Sequence, residues 1–166
     1  MYVDWVPVAP AIPTCIAERL AFTITYLCGV IGEQGRSDRA SVPFLNLTCL
    51  RLRRLCTRLT RLIAAFREGR LAPARVRTRR ETPPRPPRKE QLRLPSKFGW
   101  LLRFGWQAAG SRSQFEHWLE DPEVQALVAA SPQARRILRA LCRMFGIPLG
   151  PALALPRRKR ERRRKP

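Results

Sequence analysis

The chain of 166 residues carries 33 lysines and arginines against 12 acidic residues, a formal net charge of +21. This length allows one domain or two small ones around a modest core, and the charge favours polyanionic partners. The longest uncharged apolar helical segment, residues 20–31, is well short of the about 20 residues that span a bilayer, which argues against a transmembrane helix. The opening MYVDW has an acid and no basic residue, unlike a secretory signal, so we expect a cytoplasmic protein.

The two N-terminal helical patterns predict a hairpin over residues 13–68. Residues 1–12 contain Pro7 and Pro10 and are expected to form an extended arm. A helix is predicted from Pro13 to about Ile31, followed by a polar turn over residues 32–39. Ser41 and Pro43 then begin a second helix that runs to Glu68. Because the connection is short, the two helices should pack antiparallel, and their remaining surfaces should meet the C-terminal helices or a second copy in a homodimer.

The second helix combines an apolar stripe with a row of arginines. Leucines and other apolar residues recur at helical spacing on one side, whereas Arg51, Arg54, Arg58 and Arg61 follow steps of three, four and three. No carboxylate lies between Pro43 and Arg67 to neutralise them. Like charges at this spacing weaken a helix by about 0.2–0.5 kcal/mol per pair, so helix stability does not explain the row. The pattern predicts an external anion.

Residues 69–96 lose all helical periodicity and are rich in proline and arginine, which predicts a disordered basic linker. Its segment RPPR is also a candidate ligand for an aromatic groove of a partner. The charge run over residues 151–166 predicts a disordered polybasic tail.

Residues 97–150 are predicted to form a module of four short helices. The first ends near Gly110, and Ser111 with Gln114 has the spacing of a capping box that opens the second. Asp121-Pro122 and Ser131-Pro132 each place a capping residue before a proline, which predicts helices over about 122–130 and 132–145. The last should end at Gly146. The fold class is therefore mainly α, a hairpin and a small helical module joined by a disordered linker.

The five cysteines, at positions 15, 28, 49, 56 and 142, are odd in number and show no CxxC spacing. Most lie within apolar helical patterns. This usage is typical of reduced cysteines acting as small core side chains, and it favours neither a metal site nor a bound cofactor.

The run FGWLLRF followed by SQFEHWLEDPEVQALVAASPQARRILRALCRMFGI, within residues 98–147, resembles short basic hypothetical proteins of alphaproteobacterial genomes. The resemblance implies a bacterial cytoplasmic setting. It implies no activity, ligand or catalytic residue.

Non-specific association with nucleic acid through arginine–phosphate contacts is the first functional hypothesis. The candidate contact residues are Arg51, Arg54, Arg58, Arg61, Arg135, Arg139, Arg143, Arg157, Arg158, Lys159 and Arg160. The helices over 122–130 and 132–145 also permit a helix-turn-helix interpretation, although their connection lacks the usual glycine.

Three other hypotheses stay open. The arginine row and leucine-rich helices would suit an adaptor that docks an acidic helical protein. Trp5, Phe22 and Tyr26 together with the basic tail would suit peripheral binding to anionic lipid. The basicity would also follow from the codon usage of a GC-rich genome, with no function attached to it.

The sequence does not favour an enzyme. The one histidine, His117, lies near Glu116, Glu120 and Asp121, where a catalytic base is conceivable. These acids fit a solvated helix face leading into a cap, and no nucleophile motif, phosphate loop or metal spacing accompanies them. We therefore expect a surface histidine.

Overall fold

A computed structural model describes residues 13–71 and 92–154 and shows a mainly α protein, as predicted. Five α-helices are present within these ranges: α1 (Ile16–Ser37), α2 (Val42–Arg67), α3 (Trp106–Glu120), α4 (Pro122–Ala130) and α5 (Pro132–Phe145). Short 3₁₀ turns precede α2 at Arg39–Ser41 and α3 at Trp100–Phe104. The predicted N-terminal arm, linker residues 72–91 and tail residues 155–166 lie outside the described part of the chain.

The start of α1 is fixed by reciprocal capping. The Glu18 carboxylate accepts hydrogen bonds from the backbone N–H groups of Thr14 and Cys15, at 3.0 and 3.3 Å. These bonds satisfy donors that the first helical turn leaves unpaired. They also lower the pKa of the Glu18 carboxyl, because they favour its charged form.

The end of α1 corrects the predicted boundary. The helix continues past Ile31 and Gly32 to Ser37, so the predicted turn over residues 32–39 is mostly helical. Gly35 lies close to α2, since a Cβ atom there would be 3.3 Å from Leu45 Cδ1. The missing side chain lets the last turn of α1 approach α2 closely, and this packing outweighs the low helix propensity of glycine.

The predicted break at Gly110 is also wrong. The chain instead breaks at Gly105, whose φ of 93° is a conformation that favours glycine, and α3 runs without interruption through Gly110. Ser111 does not cap a helix. Its hydroxyl is buried and donates to the backbone carbonyl of Gln107, 3.2 Å away, within α3. The module therefore consists of a 3₁₀ turn and three α-helices.

The boundaries of α4 and α5 are confirmed. The Asp121 carboxylate accepts from the Glu123 N–H at 3.0 Å, and the Ser131 hydroxyl accepts from the Ala134 N–H at 3.2 Å. Gly146 ends α5 with a φ of 74°. Each boundary follows from a capping residue that can be recognised in the sequence.

The hairpin and the C-terminal module share one hydrophobic core. Helix α1 packs against both α2 and α3, and α2 packs against α5. Phe115 stacks on Phe145 with ring centroids 5.1 Å apart, and the Trp118 indole N–H donates to the Ile16 carbonyl at 2.7 Å. The last contact joins α3 to the first turn of α1. The module thus covers surfaces that the hairpin alone would leave exposed.

Candidate polyanion-binding surface

The burial of one side of α2 determines where its arginines point. Leu52, Leu59 and Ile63 are almost fully inaccessible, and α2 packs against α1 and α5. The four residues of the arginine row are exposed: Arg51, Arg54, Arg58 and Arg61. Within residues 13–71 and 92–154, none of these four forms a salt bridge with a carboxylate. The row is therefore available to an outside anion.

The ion pairs that do form lie elsewhere. Arg67 contacts Glu123 through two hydrogen bonds of 2.5 and 2.8 Å, and Arg19 contacts Asp121 at 3.2 Å. Both pairs join the hairpin to the start of α4. The Arg67 guanidinium lowers the pKa of the Glu123 carboxyl, because it favours the charged form. Arg19 and Arg67 therefore hold the hairpin against the C-terminal module, whereas the arginines of the row form no such ion pair among the described residues.

A groove of about 510 Å³ lies beside the N-terminal half of the row, between α2 and α5. Four arginines stand around it: Arg51, Arg54, Arg93 and Arg143. Its floor is apolar and includes Leu50, Trp100 and Met144. The arrangement suits a ligand that combines negative charge with apolar surface. We call this feature the α2–α5 groove.

Two hydrogen bonds build the wall of the groove. The backbone N–H of Gly99 donates to the Arg143 carbonyl at 2.9 Å, and the Arg143 Nε donates to the Ser96 carbonyl at 3.0 Å. They hold the segment from Leu92 to Gly99 along α5. Residues 92–96, which the sequence places in the linker, thus carry Arg93 to the groove.

Arg93 is the functional candidate that sequence reasoning missed. It stands between Leu92 and Leu94 at the end of a proline- and arginine-rich stretch, and the other arginines of the groove are about 40 to 50 positions away in the sequence. The half-buried Leu94 and Pro95 are the signal that this end of the linker packs on the core.

The structure separates the remaining candidate residues into groups. Arg58 and Arg61 continue the row beyond the groove. Arg135 and Arg139 are half-buried on α5 and do not line the groove. The tail candidates Arg157, Arg158, Lys159 and Arg160 lie outside the described residues. Among the predicted residues that the structure describes, Arg51, Arg54 and Arg143 meet at one place.

The residues behind the other hypotheses are also located. His117 is exposed on α3 with its Nδ1 atom 3.7 Å from a Glu120 oxygen. Phe22 and Tyr26 are exposed on α1, whereas Trp5 is not among the described residues. In the described ranges no cluster of three histidine, cysteine or acidic side chains could hold a metal ion, and no helix is long and apolar enough to cross a bilayer.

Comparison with known proteins assigns no family to the chain. No protein-family model, no curated protein and no solved structure matches it. The resemblance over residues 98–147 stays a prediction, and so does the non-enzymatic character. A functional proposal therefore rests on the arginine row and the α2–α5 groove.

Proposed function

We propose that the protein associates with nucleic acid, without catalysis, through contacts between the arginine row and backbone phosphates. The observation that carries the proposal is the exposure of four arginines along α2 with no carboxylate partner among the described residues. A guanidinium group donates two parallel hydrogen bonds to a phosphate and stays charged at any physiological pH.

The dimensions of the row suit a polyanion. Arg61 lies ten positions after Arg51, which is about 15 Å along a helix. One strand of duplex DNA presents a phosphate about every 3.4 Å along its axis, so the row extends over the rise of about four phosphates. Such contacts read no bases, and we therefore propose association that is mostly independent of sequence.

Salt dependence provides the test. Each phosphate contact contributes about 0.9 to the slope of log K against log salt for duplex DNA, so four contacts contribute about 3.6. We would replace all four arginines of the row by glutamine and measure binding to a duplex by fluorescence anisotropy between low and moderate salt. The slope should decrease by about 3–4.

A variant of equal charge serves as the control. Arg39, Arg53, Arg103 and Arg136 are exposed and lie off the row, so their replacement by glutamine removes the same net charge. This control should change the slope far less than the row variant does. Equal effects of the two variants would refute a dedicated row and leave only a general attraction between a cation and a polyanion.

Removal of residues 157–166 separates the row from the tail. If the row carries the contacts, the truncated protein retains the difference between the row variant and its control. If truncation alone abolishes binding, and the row variant has no effect in the full chain, the tail acts as a simple polycation and the proposal for the row fails.

The apolar floor of the α2–α5 groove favours a second candidate, an acidic amphipathic helix of a partner protein. A leucine stripe would contact Leu50 and Met144, and flanking carboxylates would meet Arg93 and Arg143. The probe is a designed helical peptide with a leucine stripe and glutamate flanks. Ala140→Gln, which places an uncharged polar side chain at the groove, should weaken peptide binding while the salt slope for DNA stays unchanged, whereas changes at Arg58 and Arg61 should have the opposite effect.

A further inference from the structure

Two cysteines face each other across the hairpin. Cys28 is buried in α1 and Cys49 is half-buried in α2. The Cys28 sulfur lies 4.0 Å from the Cys49 carbonyl oxygen, and the Cys49 sulfur lies 3.7 Å from the Cys28 carbonyl oxygen. The two cysteine side chains therefore lie side by side at one contact between α1 and α2, and such neighbours are the pairs that a disulfide can join.

The surroundings of this pair shift the pKa values of its two thiols in opposite directions. A hydrogen bond from Cys28 and the nearby Arg53 guanidinium lower the pKa of Cys49 to about 7. The same interaction, together with burial, raises the pKa of Cys28. Because its pKa is lowered, Cys49 has more thiolate character at neutral pH than an ordinary cysteine.

The other buried cysteines lack this arrangement. Burial raises the pKa of Cys56, and it raises the pKa of Cys142 to about 11. In the described part of the chain, no second cysteine is among the groups that shift the pKa of either thiol. They therefore act as small core side chains, as the sequence predicts for cysteines in apolar stripes.

We propose that Cys28 and Cys49 form a thiol–disulfide exchange site that reacts with small-molecule disulfides. The half-buried Cys49 is the attacking residue and the buried Cys28 is the resolving residue. The product is a disulfide that joins α1 to α2.

The two steps balance without any further reactant. The Cys49 thiolate attacks one sulfur of the small disulfide, whose S–S bond breaks and releases one thiolate. Cys28 then loses its proton to solvent and attacks the Cys49 sulfur, which expels the second small thiolate. Once Cys49 is covalently modified it no longer carries negative charge, so the main cause of the raised pKa of Cys28 disappears. The protein dithiol is oxidised and the small disulfide is reduced to two thiols.

The experiment uses the full reduced chain with oxidised glutathione at neutral pH, followed by intact mass and peptide mapping. A Cys15→Ser background removes the other half-buried thiol, and serine also serves as a helix cap. The protein should lose about 2 Da, the mass of two hydrogens, and yield a peptide that links Cys28 to Cys49.

Single variants assign the roles. Cys28→Ala should trap a glutathione adduct on Cys49, whereas Cys49→Ala should leave Cys28 unmodified. Cys56→Ala is the matched control on the same helix and should behave as the parent. Arg53→Gln should slow the first step several-fold.

Adducts at Cys56 or Cys142 with Cys49 unmodified would overturn the proposal. So would an oxidised parent that contains no Cys28–Cys49 peptide. If Cys28→Ala loses its helical circular dichroism, Cys28→Ser provides the same trap in a side chain of nearly equal size. DNA binding plays no part in these measurements, so the result is independent of the proposed function.

Discussion

A close contact between two glycine backbones provides the sharpest test of the fold. A Cβ atom on Gly146 would lie 2.9 Å from the Gly99 Cα atom, and Gly146 has a φ of 74°. The neighbouring hydrogen bond from the Gly99 N–H to the Arg143 carbonyl attaches the segment before α3 to α5. The substitution Gly146→Ala should therefore destabilise both the end of α5 and the wall of the α2–α5 groove.

Two costs add at Gly146. A left-handed conformation costs an L-residue about 1–2 kcal/mol. Forcing a methyl group into an occupied space costs about 1–3 kcal/mol more, because here the neighbour is backbone and cannot rotate away. Gly146→Ala should therefore lower the free energy of unfolding by about 2–5 kcal/mol.

Gly69→Ala is the matched control. Gly69 follows the end of α2 with a φ of 67°, but nothing lies within 4 Å of the position that its Cβ would occupy. Only the conformational cost of about 1–2 kcal/mol applies there. Urea unfolding followed by circular dichroism gives both values. If Gly146→Ala costs no more than Gly69→Ala, the two backbones do not touch and the account of the groove wall is wrong.

Three further predictions concern pH, helix continuity and charge. Because the Glu123 carboxyl has a lowered pKa beside Arg67, its contribution to stability is present at neutral pH and is lost as the pH falls below about 4.3; urea midpoints from pH 6 to 3 should fall more steeply for the parent than for Glu123→Gln. Gly110→Ala should raise stability in thermal unfolding by about 0.5–1 kcal/mol, since Gly110 is exposed inside α3, whereas a helix boundary there would give a loss. Replacement of the arginine row by glutamine removes three like-charge contacts and should stabilise the protein by about 0.6–1.5 kcal/mol in urea, and a clear loss would show that the row has carboxylate partners.

Elements whose ends depend on neighbouring residues could be predicted from the sequence. Helices α4 and α5 begin at the predicted residues because Asp121 and Ser131 satisfy backbone donors within the next turn, and proline follows each of them. Gly146 ends α5 for the same local reason. The exposure of the arginine row follows from the apolar stripe beside it, since burying the stripe leaves one orientation for α2.

Features that depend on distant contacts could not be predicted. Gly35 looks like a turn residue until Leu45 is placed beside it, and only then does the lack of a side chain become a reason for helix. The sequence predicts a break at Gly110, whereas the chain breaks at Gly105 with a φ of 93° and α3 continues through Gly110. Arg93 reaches the groove through a hydrogen bond between Ser96 and Arg143, residues 47 positions apart.

The arginines of the row outside the groove and Arg143 at the groove differ in what a binding change after their replacement would show. Arg58 and Arg61 make no described contact that holds the fold, so a change in binding after their replacement reports on the ligand alone. Arg143 both borders the groove and donates to the Ser96 carbonyl, and its replacement moves the segment that carries Arg93. Weaker binding by an Arg143 variant would therefore follow from a displaced wall as readily as from a lost ligand contact. Variants at Arg58 and Arg61 therefore test the phosphate proposal without displacing the wall of the groove.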